Sequence, residues 1–326
     1  MSIDHSYVVP TLGRGPDHGH HNYLPFDATR PRVAWPGRAP VALCVLVTLE
    51  HVEWKDPEGG YVSPTLAGGY GRRPHPDVTR WSHREYGHRV GIFRILEVLR
   101  RHGVTPTVAM DALTARHYPF LVEHCLGLGA ELVGHGISVS RMITSRMSEA
   151  EERAYIAESL EALRTAGGRP VNGWFGPEYG ESNRTPALLA EAGVRYVCDW
   201  VNDEQPYRMT VPAGDLYALP ITYPLDDVDA LWDRRIEARR WATSVTEAFD
   251  RLREDGPTNG RVLVLNLHPW LTGQAFRIHH VDEMLAHIVA SGAVWVATGS
   301  QIVEWYATAP VSHAVGSMPP IAERSP

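Results

Sequence analysis

Three short apolar runs of the sequence end in side chains that a buried core does not want. The first closes in Thr48-Leu49-Glu50-His51, the second in Gly134-His135-Gly136 and the third in Leu267-His268-Pro269. A lone histidine at the end of a strand is more often a hydrogen-bonded structural residue than a reagent. Three of them coinciding with a carboxylate reverse that reading. Hydrolysis of an amide or imide needs an activated water, a group to hold the developing oxyanion and a proton for the leaving nitrogen. Glu50, His51, His135 and His268 supply these functions: Glu50 is placed to be the base, His135 or His51 to polarise a carbonyl, and His268 to serve the leaving group. Two further run ends, Gly176-Pro177-Glu178 and Asp199-Trp200-Val201-Asn202-Asp203, offer Glu178, Asp199 and Asp203 as polar contacts to a substrate. For Glu178 and Asp203 the competing reading is a helix cap or turn acceptor. Trp54 and Trp270 stand among the aromatics at these ends and are candidates for lining a pocket.

The elements that would carry these residues follow from the hydrophobic pattern. From Val41 onward, short β-branched apolar runs alternate with longer stretches at helical spacing, which implies a parallel sheet flanked by helices. Strands are expected at Val41–Leu49, Thr105–Met110, Glu131–Gly134, Val171–Phe175, Tyr196–Asp199, Leu216–Ile221, Val262–Leu267 and Ala293–Ala297. Helices are expected at Glu85–His102, Tyr118–Leu128, Ser148–Ala166, Thr185–Ala192, Thr243–Glu254, His280–Ala290 and Ser300–Tyr306. In the first helix Val90, Phe93, Leu96 and Leu99 form the stripe expected to face the sheet. Ser148 followed by Glu151 reads as a capping box. Seven or eight such strands close into an α/β barrel, whose chemistry sits on the loops after the strands' C-terminal ends.

The chain has 326 residues, 44% hydrophobic and 21% charged, with a formal net charge of −7. No basic run tracks a phosphate backbone, so nucleic acid is not an expected partner. The longest apolar run, Val41 to Leu49, is about half of what a membrane-spanning helix needs, and the N-terminal stretch does not read as a secretory signal. Cys44, Cys125 and Cys198 form no CxxC pair. Free thiols in a reducing cytoplasm fit that pattern. A soluble cytoplasmic protein with a small-molecule substrate is therefore expected. The domain organisation expected is an extension at 1–40 wrapping a barrel at 41–308, then a tail at 309–326. The Asp17-His18-Gly19-His20-His21 cluster has metal-binding residue types but reads as a solvated tail.

The sequence resembles the polysaccharide deacetylase superfamily, and within it the allantoinase-like and cyclic-imidase-like branch. The likeness rests on Trp35-Pro36-Gly37, Glu50-His51, Tyr86-Gly87-His88-Arg89-Val90-Gly91, Gly134-His135-Gly136, Gly173-Trp174 with Pro177, Asp199, Asn202-Asp203 with Pro206-Tyr207, and Leu267-His268-Pro269. It implies a distorted (β/α) barrel, hydrolysis of a non-peptide C–N bond, and a homo-oligomer. The metal-dependent deacetylases carry two adjacent aspartates where this chain has Glu50 and His51. Their metal histidines are four residues apart, and here Val139 stands four after His135. Their third motif has an arginine where this chain has Phe175. The resemblance thus implies a metal-independent enzyme with no cofactor. The alternative is a divalent metal such as zinc on His51, His135 and a third ligand. A metal-dependent deacetylase of a small N-acetyl compound and a non-catalytic binding protein on the same fold are the competing functions.

Overall fold

The computed structural model describes residues 18–22, 26–27, 30–55, 57–58 and 76–309. Of the expected 309–326 tail only Ala309 lies among them, and the 1–17 stretch with Asp17 lies outside them. The strands are β1 (Val41–Leu49), β2 (Thr107–Met110), β3 (Glu131–Gly134), β4 (Gly173–Trp174), β5 (Tyr196–Val197), β6 (Tyr207–Arg208), β7 (Tyr217–Ala218), β8 (Arg261–Leu267) and β9 (Val294–Val296). They form one sheet in the order β6-β7-β5-β4-β3-β2-β1-β8, with β9 also paired to β1. Every pairing is parallel except β6 with β7. All nine residues of β1 are buried, as a strand covered on both faces requires. The outer edge of β8 is met by chain from the far end of the sheet. Val262 N–H donates to Glu204 O at 2.8 Å and Thr222 N–H to Val264 O at 3.0 Å. The sheet thus curls into a distorted barrel, and the ends of β1, β3 and β8 point the same way.

The expected Glu85–His102 helix is three pieces: α1 (Val78–Tyr86), a π-helical turn (Gly87–Gly91) and α2 (Ile92–Arg101). Asp77 caps α1 by accepting Arg80 N–H at 3.1 Å, so the helix starts in a polar stretch that carries no apolar stripe. The wider turn shifts the helical phase on which α2 presents its side chains. Val90 is 36% exposed and Phe93 only partly buried, while Ile92, Ile95, Leu96 and Leu99 face the core. The turn's glycines have a packing reason. A Cβ on Gly87 would lie 2.8 Å from Trp270 N, and one on Gly91 would overlap the Pro269 carbonyl. This turn rests on the backbone just beyond β8. Gly91→Ala should therefore lower stability by about 1–3 kcal/mol or more in chemical denaturation, and Gly103→Ala, at an open glycine with positive φ, should cost less.

Further along the chain lie α3 (Ala112–His117), α4 (Pro119–Gly127), α5 (Glu149–Gly167), α6 (Thr185–Glu191), α7 (Ala238–Asp255), α8 (Ile278–Ala290) and α9 (Gly299–Thr308). The capping box at the start of α5 is present in both halves. The short α3, which hydrophobic periodicity does not announce, is capped by Asp111 accepting Thr114 N–H at 2.7 Å. Trp35, ahead of β1, is buried and donates from Nε1 to Arg261 O at 2.8 Å. Among the described residues no helix is long and apolar enough to cross a membrane.

Candidate active site

Glu50 comes directly after β1 and is 5% exposed. Its Oε2 accepts a hydrogen bond from Arg84 Nη1, on the last turn of α1. Its Oε1 faces His135 Nε2 at 3.5 Å and His268 Nε2 at 3.9 Å. His135 sits between β3 and Gly136, whose φ of 67° and contact with Tyr155 leave no room for a side chain. The ring donates from Nδ1 to the Phe175 carbonyl at 2.5 Å, which turns Nε2 toward Glu50.

His268 comes directly after β8. Its Nδ1 lies 2.6 Å from Asp227 Oδ1, and Asp227 Oδ2 accepts the His268 N–H at 2.8 Å and the Thr272 hydroxyl at 2.7 Å. Asp227 thereby sets both ring orientation and tautomer. Its neighbour Asp226 accepts from Tyr179 Oη and Asn266 Nδ2, each at 2.7 Å, and from Val228 N–H at 2.8 Å. Asn266 is held in turn by the Thr48 hydroxyl at 2.6 Å. Strands β1 and β8 and the loop after β7 are thus tied into one buried network.

The charges follow from these contacts. Burial alone would raise the Glu50 pKa, but Arg84, His135 and His268 outweigh it and hold the carboxyl well below its usual range. Burial alone would lower His268, yet Asp227, Glu50 and Asp226 raise it to about 9. At neutral pH a carboxylate faces an imidazolium whose Nδ1 proton is committed to Asp227 and whose Nε2 proton is free to be given away. Both groups line one cleft, with Arg84, Phe175, Tyr179 and Tyr223 among its walls.

The structure brings Glu50, His135 and His268 together, but the His51 ring does not join them. Its N–H donates to Asp111 at 2.5 Å and its carbonyl accepts Val139 N–H at 3.2 Å, so the backbone is pinned and the ring lies 5.1 Å from that of His117. Burial, then His117 and His88, push its pKa down to about 4. His51→Gln should leave kcat within a few-fold of wild type in a steady-state assay. Of the expected substrate contacts, Glu178 lines the cleft. Trp270 is buried, with the Arg84 guanidinium 3.9 Å above its ring centre. Trp54 is 52% exposed and meets Trp81 edge-on. Asp199 accepts Gly176 N–H at 2.8 Å, behind the loop that carries Glu178, and Asp203 pairs with Arg30 at 2.6 Å. Neither of these two is a lining residue of the cleft.

Arg84, Asp226 and Asp227 are residues of the candidate site that the strand-end pattern does not single out. Two adjacent aspartates after Tyr223-Pro224-Leu225, and an arginine just ahead of the Tyr86–Gly91 motif, are the signals that point to them.

The site residues do not fit a deacetylase-type metal. One Glu50 oxygen is taken by Arg84, the His51 ring packs beside that of His117 and, among the described residues, is in no cluster of potential ligand atoms with His135, and Val139 is buried against Val52. Among the described residues, Asp226, Asp227 and His268 have potential ligand atoms within 4.8 Å of one another. Each of their carboxylate oxygens, however, already accepts at least one hydrogen bond from a tyrosine, amide, hydroxyl, backbone or imidazole donor.

Comparison with known proteins agrees with this fold. Residues 85–197 match the polysaccharide deacetylase family. A Schizosaccharomyces pombe protein that carries the polysaccharide deacetylase name is 26% identical over 304 residues, covering 85% of this chain and 93% of that one. A solved Mycobacterium smegmatis structure of the same name is 26% identical with a TM-score of 0.72, covering 89% of this chain and 98% of that one. The crystal structure of PuuE allantoinase has a TM-score of 0.76 at 23% identity, covering 86% and 95%. Residues 85–197 thus match a polysaccharide deacetylase domain, and the chain has the distorted (β/α) barrel fold of these solved structures.

Proposed function

We propose that this protein hydrolyses a non-peptide C–N bond in a small amide, cyclic imide or ureide, using water activated by Glu50 and a proton delivered by His268. The observation that carries the reading is the pairing of an ionised carboxylate with an imidazolium, 3.9 Å apart, on one small cleft. A base and an acid whose environments drive their pKa values apart are the pair that such a hydrolysis uses. The carboxylate takes a proton from water and the imidazolium gives one to the leaving nitrogen. The match to a polysaccharide deacetylase domain supports hydrolysis of C–N bonds, and the likeness to an allantoinase fold supports a ring amide or ureide. Because the donor set does not fit a metal, the reaction is assigned to side chains alone.

Purified protein should be tested on allantoin, succinimide, hydantoin and small N-acetyl amines, with ring opening or amine release followed by mass spectrometry. Turnover of at least one of them, lost in His268→Asn, is the expected result. Binding without turnover across the panel would favour a binding protein on the same fold.

A further inference from the structure

The network accounts for a base and an acid but leaves the developing oxyanion without a holder. His268 is committed to proton delivery, His135 is fully buried behind Glu50, and a metal does not fit the donors. Arg84 remains. It is 5% exposed, lines the cleft, stacks on Trp270 and gives one terminal nitrogen to Glu50. A guanidinium carries five N–H donors in a fixed fork, so the pairing with Glu50 leaves donors available on the edge toward the cleft. The fork is held rigidly, because the turn after α1 packs its glycines on Pro269 and Trp270, and the Trp270 ring supports the guanidinium from beneath.

Resting on the hydrolytic reading, we infer that Arg84 is the electrophile of the reaction, holding the scissile carbonyl oxygen as well as keeping Glu50 ionised. As the water oxygen bonds to the carbonyl carbon, a water proton passes to Glu50 and the C=O π pair moves onto oxygen, where Arg84 N–H groups bind it. Collapse re-forms C=O and breaks the C–N bond, and the nitrogen takes the Nε2 proton of His268. The proton on Glu50, whose Oε1 lies 3.9 Å from His268 Nε2, then passes to that imidazole and restores both groups. Preorganised donors at an oxyanion contribute about 10²–10³ in rate each.

The alternative is that Arg84 serves only as the partner of Glu50, and the two roles separate once Glu50 is neutral. Calorimetry should compare Glu50→Gln with Glu50→Gln/Arg84→Gln, using methylphosphonate as a tetrahedral oxyanion and acetamide as its neutral planar counterpart. The expected result is methylphosphonate binding to the single variant, weakened at least about tenfold in the double variant, with acetamide affinity unchanged. Glu50→Gln/Arg84→Lys, which keeps the charge but loses the fork, should fall between them and guards against loss of folding in the glutamine variant. Equal methylphosphonate affinity in all three, or no binding to any, would overturn the assignment. Wild-type turnover by Glu50→Gln would instead remove the hydrolytic reading while leaving the phosphonate comparison intact.

Discussion

Glu50→Gln is expected to lower kcat by roughly 10²–10⁴ with little change in substrate affinity, because glutamine keeps the shape and an acceptor oxygen but cannot take a proton from water. The same change acts on stability. Arg84 would remain buried with only a neutral oxygen as partner, at a cost of about 1–3 kcal/mol. The sign with pH is fixed by the direction of the shift. A carboxyl whose folded pKa lies below its unfolded value stabilises the fold above the unfolded value, and that contribution is lost as pH falls through the folded one. Denaturation midpoints of wild type and Glu50→Gln should therefore differ most at neutral pH and converge toward strong acid. A variant that turns substrate over at the wild-type rate would remove Glu50 from catalysis.

Asp227→Asn should have an effect of similar size through a different observable. Asp227 is the foremost of the charges that raise His268 to about 9, against the lowering effect of burial. With asparagine, the alkaline limb of kcat/KM should move from about 9 toward or below 6.5, the ordinary histidine value. At pH 8 the variant would hold a neutral His268 with no proton to give, and kcat should fall by about 10²–10⁴. At acid pH, where His268 is protonated in both proteins, part of the activity should return. A purely structural role for Asp227 would lower activity equally at every pH. The stability contribution carries the opposite sign to that of Glu50. It is fully present below pH 6.5 and is lost as pH rises through about 9.

Much of this site is legible in the sequence because strand ends are marked by where apolar runs stop. Val41–Leu49 could be nothing but a buried strand, and Glu50 at its end is therefore placed at the barrel mouth. His135 between two glycines and His268 before proline are located by the same reasoning. Periodicity locates a side chain along the chain but not its direction after the strand ends, and His51 is the example. Its backbone bonds to Asp111 and Val139, which come from distant positions, decide where the ring goes. Arg84 is hidden for another reason. Helix α1 begins on a polar, Asp77-capped stretch, and the π turn at Gly87–Gly91 alters the phase that a single amphipathic helix from Glu85 would keep. Asp226 and Asp227 lie in a loop between β7 and a short π turn, where no hydrophobic period exists to give their burial away. Their adjacency is the one mark in the sequence, and their place in the site shows through the partners they satisfy.

The decisive measurement for a metal-free Glu50–His268 mechanism is kcat/KM of the chelator-treated wild type from pH 4 to 10, on whichever panel substrate it hydrolyses. The mechanism predicts activity undiminished by the chelator, a plateau from pH 4 through neutrality with no acid limb in that window, and an alkaline limb near 9. Activity that disappears with the chelator, or that rises through pH 7 to a plateau above it as neutral His268 accumulates, would contradict it.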